Sequence, residues 1–257
     1  MFHLSDYLSD LETVVNIDSN SADPAGLLRV ADAYARVAER FGLSVRRVRL
    51  PEQGADLLVI TNHGERPRYD VLLMGHMDTV RPTGSALETP FSVEGDVAHG
   101  PGICDMKAGT LAALYVYDAL PQAAKDALDI IMLFNPDEEI SSRWSAPVTS
   151  DVAARTDYAV VMEATHESGR YTVSRKGSAT YRVTFAGIPG HGGYIHEIKT
   201  ANAVLEMARW GLELHRQNDP AALLSVNVAS MHGGGAVNVV PDEAELKLNI
   251  RVATPGQ

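Results

Sequence analysis

Three short apolar runs that each end in ionisable residues constrain the fold of this 257-residue chain most strongly. They cover residues 71–74, 130–134 and 158–162, with sequences of helical character between them. Near-continuous apolar runs of this length are typical of strands that are buried on both faces of a parallel sheet. Ligands bind beyond the carboxyl ends of the strands in such sheets. The pattern therefore predicts an α/β fold, a mostly parallel sheet sandwiched by helices, with a polar site at the strand ends.

The residues after these runs have the chemistry of a metal site. His76 and Asp78 follow the first run, and residues i and i+2 of an extended chain point to the same side. The imidazole can thus bind a metal while the carboxylate orients it. The second run leads into residues 135–139 (NPDEE) and the third into Glu163. So many carboxylates would repel one another and be costly to bury, and a pair of divalent cations removes that conflict.

A glycine-rich segment, residues 99–109 (HGPGICDMKAG), supplies a further candidate ligand. Asp105 stands where a helix over residues 111–120 is predicted to start. A common role of Asp at this position is to cap the helix N-terminus, and a capping residue can also bind a metal, so both interpretations stay open. The pair Gly100 and Gly102 lacks the third glycine and the preceding strand of a dinucleotide-binding loop, which excludes that function.

Four ordered motifs carry a resemblance to a known family: GHMDTV at 75–80, GPGxxDMKxG at 100–109, DEE at 137–139 and ME at 162–163. With them the chain resembles the M20 family of metallopeptidases, and it is most similar to the glutamate carboxypeptidase (carboxypeptidase G) branch. The resemblance implies a metal-dependent hydrolase that cleaves a peptide or amide bond next to a free carboxylate and releases C-terminal glutamate. An N-acyl amino acid deacylase, a dipeptidase and an inactive fragment that only binds or dimerises remain alternatives.

The resemblance also implies a cofactor, two zinc ions that cobalt or manganese could replace, and a role for each polar residue. The metal ligands implied are His76, Asp105, Glu139 and Glu163. His76 and Glu163 would hold one ion, Glu139 the other, and Asp105 would bridge them. The resemblance implies catalytic roles for two further residues of the same motifs. Asp78 would fix the ring of His76, and Glu138 would be the general base for the attacking water between the ions.

The sequence after residue 177 has a different pattern. Polar and apolar residues alternate over 179–185, a helix is predicted over 200–216, and strands are predicted near 223–230 and 243–252. We expect a catalytic domain over residues 1–174 and a smaller α+β domain over 175–257. The resemblance identifies the latter as a lid or dimerisation domain. In this domain, the resemblance implies that His191 stabilises the oxyanion in the partner subunit's active site and that Asn238 contacts substrate. Without the resemblance, both would be interpreted as ordinary polar residues of turns.

One departure from the family pattern concerns the end of the sequence. The family has a further histidine ligand late in the chain, together with elements that close the catalytic domain, and none of these precedes Gln257. We therefore expect this chain to be the amino-terminal portion of a longer hydrolase, with an incomplete lid domain.

The net charge and the cysteine content limit the expected binding partners and the expected location of the protein. The net charge of −11 argues against nucleic acid and anionic membranes, because both bind clustered Lys and Arg. The partners expected are a small peptide or N-acyl amino acid and a second copy of the chain. Cys104 is the sole cysteine and is predicted to be a small buried residue. The absence of disulfide pairs and of a secretory leader favours a reducing, cytoplasmic location, and no run is long enough for a membrane span.

Overall fold

The computed structural model describes residues 2–165, 169–170 and 172–257. The chain divides into two compact units, Met1–His166 and Glu167–Gln257. This division lies slightly before the predicted domain boundary at residues 174 and 175. None of the helices in the described part of the chain combines the length and apolar character needed to cross a bilayer.

The first unit is built on a five-stranded sheet with a small separate hairpin. Its strands are β1 (Ser44–Leu50), β2 (Ala55–Thr61), β3 (Tyr69–His76), β4 (Ser92–Glu94), β5 (Val97–His99), β6 (Ile130–Asn135) and β7 (Thr156–Val161). The order in the large sheet is β1-β2-β6-β3-β7. β3 is parallel to both β6 and β7, whereas β2 is antiparallel to β6 and to β1. Four of the five strands thus run in one direction, and the predicted mostly parallel sheet is confirmed.

Helices cover both faces of this sheet. They are α1 (Leu4–Val15), α2 (Pro24–Arg40), α3 (Ser85–Glu88), α4 (Ala108–Ala119), α5 (Gln122–Ala127) and α6 (Ala146–Ala154). Alternate residues of β6 enter different cores: Met132 and Phe134 pack with residues of α1, α2 and α4, whereas Leu133 packs with Val152 of α6. Because each buried side chain of this size contributes about 1.5–3 kcal/mol, the continuous apolar run stabilises both layers.

The third apolar run forms the predicted strand, β7, but the prediction that it is buried is wrong. Tyr158 is 74% exposed and Val161 is 56% exposed. β7 is the outermost strand of the sheet and is hydrogen-bonded to β3 on one side. Its apolar side chains therefore face solvent in the described chain, although its sequence is that of a central strand.

The second unit is a smaller α+β structure. Its elements are β8 (Gly177–Ala186), β9 (Gly190–His191), α7 (Ala203–His215), β10 (Ser225–Gly233), β11 (Val239–Val240) and β12 (Glu243–Val252). An antiparallel sheet of order β10-β12-β8 packs against α7 through Ala203, Met207 and Leu246. The helix and strands were predicted within a few residues. Leu212 of α7 is 63% exposed, whereas Leu214 packs against the core.

Candidate metal centre

His76, the last residue of β3, lies at the middle of the candidate site and is buried. Its Nδ1–H donates to the backbone carbonyl of Asp78 at 2.9 Å. Since a carbonyl can only accept, Nδ1 carries the hydrogen, and Nε2 is the atom available to a ligand. Nε2 lies 3.0 Å from Asp105 Oδ1, 3.4 Å from Glu163 Oε1 and 4.0 Å from Glu138 Oε2.

Asp105 lies in a tight turn, Ile103–Lys107, immediately before α4. Its backbone is extended, with φ −126° and ψ 95°, and the peptide bond to Met106 is cis. The interpretation of Asp105 as a helix cap is wrong: α4 begins at Ala108, and no side chain caps its N-terminus. The helix starts three residues earlier than predicted, so the turn directs the Asp105 carboxylate to His76 rather than to the helix amides.

Glu138 and Glu139 begin a short 3₁₀ turn, Glu138–Ile140, after β6. The buried carboxylate of Asp137 anchors this loop by accepting hydrogen bonds from the backbone N–H groups of Trp144 and Ser145, at 2.7 and 3.0 Å. Asp78 accepts the backbone N–H groups of Glu138 and Glu139, each at 3.1 Å. The turn backbone is therefore fixed at both ends while the two glutamate side chains stay available.

These residues form two overlapping groups whose ligand atoms lie within 4.8 Å of one another. One group contains His76, Glu138 and Glu163, and the other contains His76, Asp105 and Glu139. Zinc accepts imidazole nitrogen and carboxylate oxygen, and carboxylate-rich sites also suit manganese. Together the two groups offer one imidazole and four carboxylates, a donor set that fits a pair of divalent cations.

The electrostatics of the cluster favour bound positive charge. Burial opposes a charge on the imidazole, but hydrogen bonds to Asp78 and Glu163 and the charges of both outweigh it and raise the pKa of His76 to about 11. Burial is the largest cause that raises the pKa of Glu138 and of Glu139, and neighbouring carboxylates add to it. A cation at Nε2 would relieve both the repulsion among the carboxylates and the need for a proton on His76.

The carboxylate of Asp78 has more partners than the sequence predicted. It is completely buried, and its Oδ1 lies 3.4 Å from His76 Nδ1. Oδ2 also accepts a hydrogen bond from the Ser21 hydroxyl at 2.7 Å. Sequence reasoning placed Asp78 beside His76 but missed Ser21 and the contacts with the Glu138 turn. These contacts join loops that are far apart in sequence, and no local pattern signals them.

Two glycines of the motifs allow close packing around the site. A Cβ at Gly75 would lie 2.4 Å from Thr110 Oγ1, the hydroxyl that donates to the carbonyl of His76. A Cβ at Gly109 would lie 1.8 Å from the carbonyl oxygen of Met162, the residue before Glu163. The glycines therefore let α4 approach the two strand ends that carry site residues.

Cys104 is exposed, so the prediction that it is buried is wrong. The turn that contains Asp105 places the next two side chains inside instead: Met106 and Lys107 are both 1% exposed. The Lys107 ammonium donates to the carbonyl of Ile17 at 2.6 Å, and burial lowers the pKa of Lys107 to about 8.

His191 and Asn238 lie side by side in the second unit. β9 pairs with β11, so that His191 is opposite Val239, and Gly192 N–H donates to the Asn238 carbonyl at 2.8 Å. His191 Nδ1 accepts the Gly193 N–H at 3.1 Å, so Nε2 is the ring nitrogen that can carry a hydrogen and donate it. The two candidates thus share one surface of this unit. Their predicted roles at the metal centre stay predictions.

Comparisons with known proteins identify the family of the chain. The sequence profile of Peptidase family M20/M25/M40 matches residues 72–253, and the chain belongs to this family. Carboxypeptidase G2 of Pseudomonas sp. (strain RS-16) is 29% identical over 248 residues, which cover 96% of this chain and 60% of the relative. A succinyl-diaminopimelate desuccinylase of Paracidovorax citrulli (strain AAC00-1) is 30% identical over 213 residues, 74% of this chain and 53% of the relative.

Solved structures share the fold. An M20 family metallo-carboxypeptidase of Sulfolobus solfataricus superposes with a TM-score of 0.69 at 16% identity and covers 98% of this chain and 72% of its own. The aminopeptidase PepT of Bacillus cereus ATCC 10987 has the same TM-score at 15% identity, with 99% and 68% covered. The chain spans 60% of the length of carboxypeptidase G2 and 46% and 61% of two further curated relatives.

Proposed function

We propose that this chain carries the metal-binding and water-activating residues of a hydrolase that cleaves an amide bond next to a free carboxylate, with C-terminal glutamate as the residue released. The observation that carries the proposal is the position of His76 Nε2 among the carboxylates of Asp105, Glu163 and Glu138. The similarity of the chain to carboxypeptidase G2, which extends over 96% of this chain, supports the choice of a carboxypeptidase.

Each residue of the cluster has a distinct task in this proposal. His76 and Glu163 would hold one zinc ion, Glu139 the other, and Asp105 would lie between them; cobalt or manganese would also fit. When bound, the ions lower the pKa of water and offset developing negative charge. Glu138 accepts the proton of the attacking water and passes it to the leaving amine. Burial raises the pKa of Glu138, which brings this carboxylate closer to the pKa that proton transfer requires.

The second unit would supply substrate contacts and the subunit interface. We assign to His191 the stabilisation of the oxyanion in the partner subunit's active site, and to Asn238 a contact with substrate. The Nε2–H group of His191, a hydrogen-bond donor because Nδ1 accepts, suits this role. The exposed apolar side chains of α7, Leu205, Trp210 and Leu212, support a homodimer through this unit because such side chains are typical of protein interfaces.

A deacylase is the second candidate function. Several relatives at 27–30% identity are succinyl-diaminopimelate desuccinylases. The same water-activating cluster would cleave an N-succinyl amide as readily as a peptide, so the choice between the two depends on groups that recognise the acyl and amino acid parts.

The experiment is a substrate panel assayed by release of the free amine. N-benzoyl-L-glutamate, N-benzoyl-L-phenylalanine and an N-succinyl amino acid are offered to the protein after chelation and again after zinc, cobalt or manganese is restored. We expect metal-dependent hydrolysis with the glutamate substrate cleaved fastest. Preference for the succinyl substrate would replace the carboxypeptidase by the deacylase. Equal hydrolysis with and without metal would contradict both.

A further inference from the structure

A buried set of hydrogen bonds beside the candidate metal centre includes two side chains, Ser21 and Gln53, that have no part in the proposed chemistry. The Ser21 hydroxyl, on the loop between α1 and α2, donates to Asp78 Oδ2 at 2.7 Å. The same oxygen accepts the Glu139 N–H, while Oδ1 accepts the Glu138 N–H. Each oxygen of one buried carboxylate therefore holds one backbone amide of the glutamate pair, and Ser21 shares the oxygen that holds Glu139.

The position of Ser21 is itself fixed from two sides. The Thr79 N–H donates to the Ser19 carbonyl at 2.9 Å, and the Ser21 N–H donates to the Thr79 carbonyl at 3.3 Å. The buried amide of Gln53 donates from Nε2 to the Ser21 carbonyl at 3.1 Å and to the Pro136 carbonyl at 2.7 Å. Gln53 thus links the loop of Ser21 directly to the residue before the Asp137–Glu139 segment.

We propose that Ser21 is a positioning residue for Glu139, acting through Asp78; this inference rests on the metal-dependent function proposed above. A carboxylate can rotate about its terminal bond, and only a rotation that directs one oxygen to each N–H keeps both amides paired. Asp78 is completely buried, so no solvent water can take the place of the Ser21 hydroxyl, and the Ser21 hydrogen bond fixes the rotation of the carboxylate. Metal ligands must be held within about 0.5 Å of their working positions, so a freer Asp78 displaces the Glu139 ligand.

The chain supplies a matched control for Ser21 in the same loop. Ser19 is 1% exposed, and its hydroxyl has no hydrogen-bond partner among the described residues. Ser19→Ala and Ser21→Ala delete the same atom from neighbouring buried positions, but only the second deletes a contact to Asp78. Ser21→Thr keeps the hydroxyl and serves as the conservative variant.

The test measures Co²⁺ binding to the full chain by competition with a chromophoric chelator, with the visible Co²⁺ spectrum as a second readout and thermal unfolding of the metal-free protein as a third. We expect Ser21→Ala to lower the affinity for the ion that Glu139 holds by about 10–100-fold and to alter the visible spectrum of that ion. The affinity for the other ion should stay within about threefold of the parent value. Ser19→Ala and Ser21→Thr should bind both ions as the parent does. Equal binding by Ser21→Ala and Ser19→Ala would overturn the proposal, as would an equal loss at both ions.

A second variant keeps the test decisive if Ser21→Ala does not fold. Gln53→Met removes the amide donor at nearly constant volume, and because Gln53 Oε1 has no partner among the described residues, no other contact is lost. We expect a weaker loss at the same ion, whereas unchanged binding would count against the proposal. If the parent binds two ions but hydrolyses no substrate, the proposed function fails while Ser21 keeps its role. A parent that binds no Co²⁺ overturns both.

Discussion

At the scale of single residues, the protonation of His76 connects the structure to measurable metal chemistry. The pKa of His76 is raised to about 11, so the imidazole of the metal-free protein carries a proton on both nitrogens at neutral pH. A divalent ion needs the Nε2 lone pair and must displace that proton. The apparent affinity for the ion therefore increases as the pH rises toward 11.

We predict that binding of zinc at pH 8 releases about one proton from His76, because pH 8 lies well below the pKa of about 11. Calorimetric titrations in buffers of different ionisation enthalpy measure this number. His63→Ala is the control, since His63 pairs with Asp129 away from the site and its loss should leave the release unchanged. Zinc binding without proton release would contradict the account of His76.

Glu138 gives a second prediction at this scale. Glu138→Gln removes the proton acceptor but keeps the size of the side chain and the N–H that Asp78 accepts. Hydrolysis should fall by about 10²–10⁴-fold, the usual contribution of a general base, while the bound metal per chain stays the same. Turnover and elemental analysis of one preparation measure both quantities. Normal turnover would remove Glu138 from the chemistry, and loss of metal would make it a ligand.

The clustering of the candidate ligands was predictable from the sequence, but the contacts that support them were not. His76, the Asp-Glu-Glu segment and Glu163 directly follow apolar runs, and strands of one sheet direct such residues to a common place. The contacts of Asp78 with Ser21 and with the Glu138 turn depend on how separate loops meet in three dimensions. Periodicity and motif spacing carry no information about such meetings.

At the scale of elements, the approach of α4 to the strand ends shapes the site. Gly109 lies in the first turn of α4, where a Cβ would overlap the Met162 carbonyl. Met162 N–H in turn donates to the Met74 carbonyl at 2.8 Å, which fixes the chain just before Glu163. A displacement of either partner therefore moves the candidate ligand Glu163.

We predict that Gly109→Ala destabilises the protein by about 1–3 kcal/mol through overpacking. It should also lower the affinity for the zinc ion that Glu163 is proposed to hold. Thermal unfolding and zinc titration measure the two effects. Gly211→Ala is the matched control within α7, because its Cβ would make only ordinary contacts of 3.4 Å or more, with the side chains of Met231 and Leu246. That variant should be neutral or slightly more stable, since alanine favours a helix over glycine. Equal behaviour of both variants would contradict the close approach.

The elements also show where sequence patterns fail. The apolar run of β7 is as continuous as that of β6, yet β6 is buried throughout and β7 is largely exposed. An apolar sequence shows that a strand is suited to burial. Whether the strand is buried depends on its position in the sheet, which these sequence patterns do not give. The turn before α4 shows the same limit, because helix propensity could not distinguish a start at residue 108 from one at 111.

At the scale of the whole molecule, the two units carry different parts of the proposed activity. The first unit holds the candidate metal ligands, and the second holds His191 and Asn238 on a shared surface. The sequence predicted two domains because the pattern changes from buried apolar runs to alternation. The exposed face of α7 was not predictable from residue type, because Leu205 and Leu212 are apolar and are nevertheless exposed.

We predict that the chain self-associates through α7. Leu212→Lys places a charge on the exposed apolar face of the helix, and it should shift the sedimentation coefficient from dimer to monomer at concentrations where the parent is a dimer. Leu87→Lys is the control, because Leu87 is 88% exposed in the first unit and lies outside the proposed interface. A parent that sediments as a monomer at all concentrations would contradict the proposed dimer.

The number of divalent ions bound per folded chain decides whether the residues around His76 form a two-ion centre. Zinc is titrated into the metal-free protein, free ion is removed, and elemental analysis is combined with circular dichroism to confirm folding. We predict two ions under the proposed division of ligands: a tight one held by His76 and Glu163, and a weaker one held by Glu139, with Asp105 contributing to both. Glu139→Ala should lose the weaker ion alone. A folded chain that binds no zinc at saturating concentration would contradict the account.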